Sequence, residues 1–135
     1  MLTPGAPAEV FASLLAGDLN IEARDCAPMM VRLDCTGRSN SRNPCELLAP
    51  YFETVLARAR AAGCPVEVHF ERLEFFNSST VTAVIQLIRE SRAQGTTLSI
   101  FFDGSQKWQA LTFEALRTFE LPDGLVKIRS ITEVS

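Results

Sequence analysis

The apolar residues of this chain change their period repeatedly along its length, and that switching constrains the fold more than any other feature. Leu19-Asn20-Ile21-Glu22-Ala23-Arg24 and Met30-Val31-Arg32-Leu33-Asp34-Cys35 alternate apolar with polar, the period of a half-buried strand. Leu47, Leu48, Tyr51, Phe52, Val55, Leu56 and Ala59 then recur at helical spacing. Residues 66–71 alternate again, and Val81, Val84, Ile85 and Ile88 return to the helical period. Residues 97–102 and 125–129 read as strands on either side of a helical stretch carrying Trp108, Leu111, Leu116 and Phe119. The predicted order is β-β-α-β-α-β-α-β. Strands alternating with helices demand right-handed crossovers, hence an α/β fold with a mixed, mostly parallel sheet of about five strands and three main helices.

Local signals place the boundaries within one domain, 1–135. Pro4, Gly5 and Pro7 make a loose start, and residues 8–16 have helical composition, so 1–17 reads as an N-terminal extension. Residues 19–35 form a hairpin turned at Asp25-Cys26-Ala27-Pro28. The polar stretch 36–43 reads as a loop. Asn43 then suits an N-cap, Pro44 the first helical position and Glu46 a capping-box partner, opening a helix over 44–62 with Pro50 as a kink point and Gly63 as its stop. Further helices are predicted over 78–94, ended by Gly95, and 105–119, broken by Pro122-Asp123-Gly124. There is no repeat, linker or low-complexity tract.

Several function classes drop out. The net charge is −3 with no basic stripe, which argues against nucleic acid. Apolar runs are too short to span a membrane, and the start lacks a basic segment followed by an apolar block, so a cytoplasmic protein is expected. Cys26, Cys35, Cys45 and Cys64 are irregularly spaced, and His69 is the only histidine, so no metal set is expected. They read as reduced thiols, with Cys45 in a first helical turn that lowers a thiol pKa. No Gly-x-Ser-x-Gly elbow, glycine-rich phosphate loop or dinucleotide fingerprint appears, and Gly104-Ser105-Gln106-Lys107 lacks the glycines of such a loop. His69 has no nucleophile partner at a recognisable spacing. The expectation is no catalytic residue, no cofactor and no enzyme.

What remains is the run Phe75-Phe76-Asn77-Ser78-Ser79-Thr80, set between a strand and a helix. A helix start has unpaired backbone N–H groups and the positive end of the helix dipole, so it accepts an anion. A phosphorylated serine is such an anion. The plainer reading is a helix cap, with Asn77 as N-cap and Ser79 at the second helical position.

The layout from Leu19 onward, with Asn77-Ser78-Ser79-Thr80 at its strand-to-helix turn, resembles the STAS domain of bacterial anti-sigma factor antagonists. In that family the turn is Asp-Ser-Ser-Gly or Asp-Thr-Ser-Gly, and a partner kinase phosphorylates the second hydroxyl residue. Ser79 falls on that position, Asn77 on the aspartate and Thr80 on the glycine. The chain is similar to a divergent group with an Asn-Ser-Ser turn. Arg42-Asn43-Pro44 and the stretch Ser105 to Trp108 also look like that group. A related phosphoprotein family that controls a diguanylate cyclase carries a similar turn. The resemblance implies phosphorylation at Ser79, with Ser78 and Thr80 as lesser acceptors, and partner contact through Phe75, Phe76, Asn77, Ser78 and Thr80. The implied partners are a serine kinase/anti-sigma-type protein with an opposing PP2C-type phosphatase, or a signalling enzyme. A nucleotide- or small-molecule-sensing module is the competing class.

The strands add one expectation. Val31, Leu33 and Cys35 oppose Arg32 and Asp34; Val66, Val68 and Phe70 oppose Glu67, His69 and Glu71; Val126 and Ile128 oppose Lys127 and Arg129. A sandwiched parallel strand is apolar on both faces. One face of this sheet is therefore open to solvent, or to a partner or second copy in a homodimer, with Phe101 as a further contact. Trp108 reads as core or interface.

Overall fold

The computed structural model describes residues 10–26, 29–39 and 44–132, the side chains of residues 44 and 45 excepted. The alternating stretches pair into one seven-stranded sheet. β1 (Val10–Ala16), β2 (Leu19–Cys26) and β3 (Met30–Ser39) form an antiparallel meander. After α1 (Pro44–Ala62) come β4 (Val66–His69), β5 (Leu73–Phe76), α2 (Ser78–Ala93) and β6 (Leu98–Phe102). α3 (Lys107–Leu116), a short 3-10 turn (Arg117–Phe119) and β7 (Val126–Ser130) close the described chain. The main path runs β1-β2-β3-β4-β6-β7, parallel from β3 onward, while β5 pairs with the far end of β3.

Two strands, β1 and β5, were not expected. Residues 10–16, read as part of a helical extension, pair with β2 from Val10 to Ala16. Val-Phe-Ala-Ser-Leu-Leu-Ala has no clean alternation, and its partner strand decides the matter. β3 also runs to Ser39, through part of the stretch read as a loop. Residues 37 and 39 keep the inward phase of Val31, Leu33 and Cys35, but they are glycine and serine, so no apolar signal marks them as strand; the register slip against β5 falls here, with Glu74 the extra residue. The helices match with small changes: α2 stops at Ala93, and the third begins at Lys107 and tightens to 3-10 after Leu116. The 44–62 helix keeps its bounds, with Pro50 inside it. Its cap Asn43, the motif member Arg42 and the Cys45 thiol lie outside the described residues, as does Ala27-Pro28 of the hairpin turn.

The three helices bury one face of the sheet. Ile21, Leu33, Val68, Ile100 and Ile128 meet Val55, Leu56, Val84, Ile88 and Phe113 in a single core. Leu47 leaves its helix's apolar stripe and is exposed. No described helix covers the opposite face, where Glu22, Asp34, His69, Phe101 and Arg129 form a row across the strands. Arg24 pairs with Glu22 and Asp34, and Arg32 with Asp34. His69 lies flat on Phe101, ring centroids 4.7 Å apart, with Nδ1 at 2.8 Å from Glu71 and Nε2 at 2.9 Å from Glu67. The half-polar strands thus fill their open side with paired charge.

Candidate functional site

The hydroxyl run follows β5 where that strand ends beside β3, and Gly37 of β3 sets up the approach. Gly37 has φ +89°, and a Cβ there would lie 1.9 Å from the Asp18 carbonyl oxygen. Only glycine accepts that backbone with that contact. Two residues on, Ser39 points inward in phase with Cys35, and its carbonyl accepts the Asn77 N–H at 3.0 Å. The β3–β5 ladder therefore continues into the start of α2.

Asn77 is the N-cap. Its Oδ1 accepts the Thr80 backbone N–H at 3.0 Å and the Thr80 hydroxyl at 2.8 Å. With the Thr80 proton committed to Asn77, Ser39 Oγ donates to Thr80 Oγ1 across 2.8 Å. Thr80 is 3% exposed. This buried relay welds the end of β3 to the first turn of α2. Ser78 and Ser79 follow the cap as the first two helical residues, Ser78 exposed and Ser79 half-buried. No acidic residue lies in that first turn and Asn77 is neutral, so the positive end of the helix dipole meets no formal negative charge there.

The structure sorts the residues expected at this site. Ser78, Ser79 and Phe75 reach the surface, Phe75 with 38% exposure. Thr80, expected as a lesser acceptor and as a contact, is buried by its two hydroxyl bonds and is part of the cap. Phe76, expected at a partner surface, is 6% exposed and packs edge-on against Phe113 and Trp108. The bulge at Glu74 explains which ring goes inside: it resets the phase of β5, so Phe76 rather than Phe75 shares the inward side with Leu73. Trp108 is half-buried.

Two supporting residues were invisible in the sequence. Ser39 lay in apparent loop, and only the continuation of β3 past Gly37 brings its hydroxyl to Thr80. Gln109 is fully buried. Its Nε2 donates to the Phe70 and Leu73 carbonyls at 3.1 and 2.9 Å, and its Oε1 accepts the Asp103 N–H at 2.7 Å. It ties the start of β5 to α3. A glutamine inside an amphipathic helix carries no sign of such a role.

Among the described residues no cluster of His, Cys, Asp or Glu is arranged to hold a metal. Both His69 ring nitrogens are held by carboxylates. Partial burial pushes this imidazole's pKa down, the bonds from Glu71 and Glu67 raise it by more, and the net value lies above the ordinary one. Burial raises the Cys35 thiol far above its usual value, leaving it inert. The space beside Thr80 and Val84 is only about 10 Å³, too small for a nucleotide. A larger groove of about 250 Å³ lies between α1 and α2, lined by Phe52, Leu56, Ala83 and Leu87, further along α2 than the hydroxyl run. No described helix is long and apolar enough to cross a membrane.

No protein-family model matches the sequence, and no curated protein matches it. Solved structures do. Apo-SiaC from Pseudomonas aeruginosa matches at 22% identity and TM-score 0.61, covering 89% of this chain and 98% of its own. A chain of the complex between the diguanylate cyclase SiaD and its activator SiaC, from the same organism, matches at 20% identity and TM-score 0.58, covering 88% of this chain and 98% of its own. The unphosphorylated anti-sigma factor antagonist SpoIIAA matches at 18% identity and TM-score 0.57, covering 83% and 89%. The chain therefore has a STAS-like, SpoIIAA-like fold.

Proposed function

We propose that this chain is a non-enzymatic, cytoplasmic regulatory module that binds a protein partner and is switched by phosphorylation of Ser79. The observation that carries the reading is the first turn of α2: an exposed Ser78 and a half-buried Ser79 on a neutral cap, anchored from beneath by the bonds among Thr80, Asn77 and Ser39. Phosphate there adds about −1.5 to −2 charges at neutral pH. At an exposed helix start that charge favours the local fold by about 0.3–1 kcal/mol, too little to remodel the domain. Pressed into an apolar contact without a cation, it costs several kcal/mol, and each ~1.4 kcal/mol is tenfold in affinity. The modification thus changes docking while leaving the body of the fold intact.

The neighbours support a protein-binding role, since one is an anti-sigma factor antagonist and another an activator of a diguanylate cyclase. The partner classes that fit are a serine kinase/anti-sigma-type protein opposed by a PP2C-type phosphatase, or a signalling enzyme that the unmodified protein activates. The second output is favoured by the somewhat higher similarity to SiaC, 22% identity and TM-score 0.61 against 18% and 0.57 for SpoIIAA. Co-purification of the native protein followed by phosphopeptide mass spectrometry tests the reading. Phosphate on Ser79, and a partner that binds Ser79→Ala but not Ser79→Asp, are the expected results. Equal partner affinity for wild type and both variants contradicts it.

A further inference from the structure

The sheet has two outer edges, and side chains guard only one of them. On β7 the Glu120 carboxylate accepts the Ile128 N–H at 2.6 Å, and the Arg129 guanidinium donates to the Ile128 carbonyl at 2.9 Å, so the outward backbone groups of that residue are taken. The opposite edge is β1. There the pairing fixes which groups face out. The Asp18 carbonyl accepts the Arg38 N–H at 3.1 Å and so faces β3. Backbone groups alternate in direction along a strand, so Leu19, Ile21 and Ala23 turn theirs to β1, where they pair with Ala16, Leu14 and Ala12. Ser13 and Leu15 therefore turn their N–H and carbonyl groups away from β2, and no other described residue bonds to them.

Nothing in β1 keeps a neighbour off. Its seven residues, Val-Phe-Ala-Ser-Leu-Leu-Ala, include no charge and no proline, the usual guards of an edge. Leu15 is 77% exposed on the open side of the sheet. On the helix side the Tyr51 hydroxyl donates to the Ala12 carbonyl at 3.3 Å, and Leu47, one turn earlier on the same side of α1, is 44% exposed. The Arg58 guanidinium lies 4.3 Å from the Phe11 ring centroid, so the strand is fixed before anything pairs with it.

Only an extended strand satisfies such a row of groups, and the surroundings select which one. A foreign strand is recognised through pockets for its alternate side chains. The grooves of about 250 and 380 Å³ are lined by α1, α2 and the turns that follow them, and β1 borders neither. A second copy needs no such pockets. In an antiparallel two-fold pair centred on Leu14, Ser13 and Leu15 of each copy exchange bonds with Leu15 and Ser13 of the other. Charge lies around the edge rather than on it: Asp18 in the turn, Glu46 beside Leu47, and the pairs Glu22–Arg24 and Asp25–Arg58. The antiparallel arrangement sends the two Asp18 turns to opposite ends, and no charged residue faces another along the paired strands. We propose that this chain forms a two-fold dimer by pairing β1 with β1 of a second copy, which joins the two sheets into one. Both outer edges of the joined sheet are then β7, already guarded, so assembly stops at two.

Sedimentation velocity of the full chain over a dilution series, with hydrogen exchange followed at the same concentrations, tests this. The mass is expected to rise from one copy to two as concentration rises, and exchange of the Ser13 and Leu15 amides to slow with it. Leu15→Glu puts a charge on the edge at an exposed position, and Ser13→Pro removes an N–H that faces away from β2. Each is expected to raise the dissociation constant about tenfold or more, with the unfolding midpoint of the Leu15→Glu monomer unchanged. Leu111→Glu, the same change at a leucine of α3 that is 68% exposed, is expected to leave the dimer as it is. A monomer at every concentration, a dimer indifferent to Leu15→Glu, or a dimer broken by Leu111→Glu overturns the proposal. So do Ser13 and Leu15 amides that exchange alike in monomer and dimer, and assemblies that grow past two. Amides of β1 protected by a co-purified partner, in a chain that stays monomeric alone, overturn it in favour of a foreign strand.

Discussion

At Thr80 one hydroxyl serves two buried partners, donating to Asn77 and accepting from Ser39, and its backbone N–H serves Asn77 as well. Thr80→Val keeps the shape and removes both hydroxyl bonds, leaving Ser39 without its acceptor. It is expected to lower unfolding stability by about 1–3 kcal/mol in urea titrations, and an unchanged midpoint would refute the relay. Gly37→Ala is expected to fail more severely, because the added carbon lands on the Asp18 carbonyl in a backbone region that disfavours side chains. Chemical denaturation reads that loss directly. The cap itself was legible in the sequence, since Asn77 before a hydroxyl run and an apolar helical period is a strong start signal. Its anchor was not. Ser39 is distant in sequence and reaches Thr80 only because β3 continues past Gly37 with no apolar residue to mark it, and the split between Phe75 and Phe76 needs the direction of β5.

Among the elements, the crossovers were readable because each strand and helix keeps its own apolar period over several residues. β1 was not, because its residues suit a helix and its partner β2 overrides them. β5 is only four residues long and is itself bulged at Glu74, so it carries too few alternations to register. Its place is fixed by Gln109 instead. Gln109→Leu leaves the Phe70 and Leu73 carbonyls and the Asp103 N–H without that partner in the core. The expected cost is about 2–4 kcal/mol, with faster hydrogen exchange at the β5–α2 junction as the specific sign. Uniform loss of stability with no local exchange change would contradict this assignment. At the sheet's far edge, Glu120 accepts the Ile128 N–H at 2.6 Å, so a side chain covers a backbone donor of β7.

For the whole molecule, the open sheet face makes stability depend on pH through His69. Its pKa is raised in the folded state, so its contribution is complete below the unfolded value of about 6.5 and is lost as pH rises through the folded value. Unfolding midpoints are expected to fall over that window in wild type and to stay flatter in His69→Gln; a wild-type midpoint that climbs would contradict it. The second claim at this scale is separation of roles: a rigid body beneath, and a surface tip whose charge decides docking. The most direct test takes the co-purified partner and measures its affinity for unmodified and Ser79-phosphorylated protein by calorimetry, with the unfolding midpoint taken on the same samples. Affinity should fall more than about tenfold while stability moves by no more than about 1 kcal/mol. Unchanged affinity, or affinity lost only because the domain unfolds, would contradict the account.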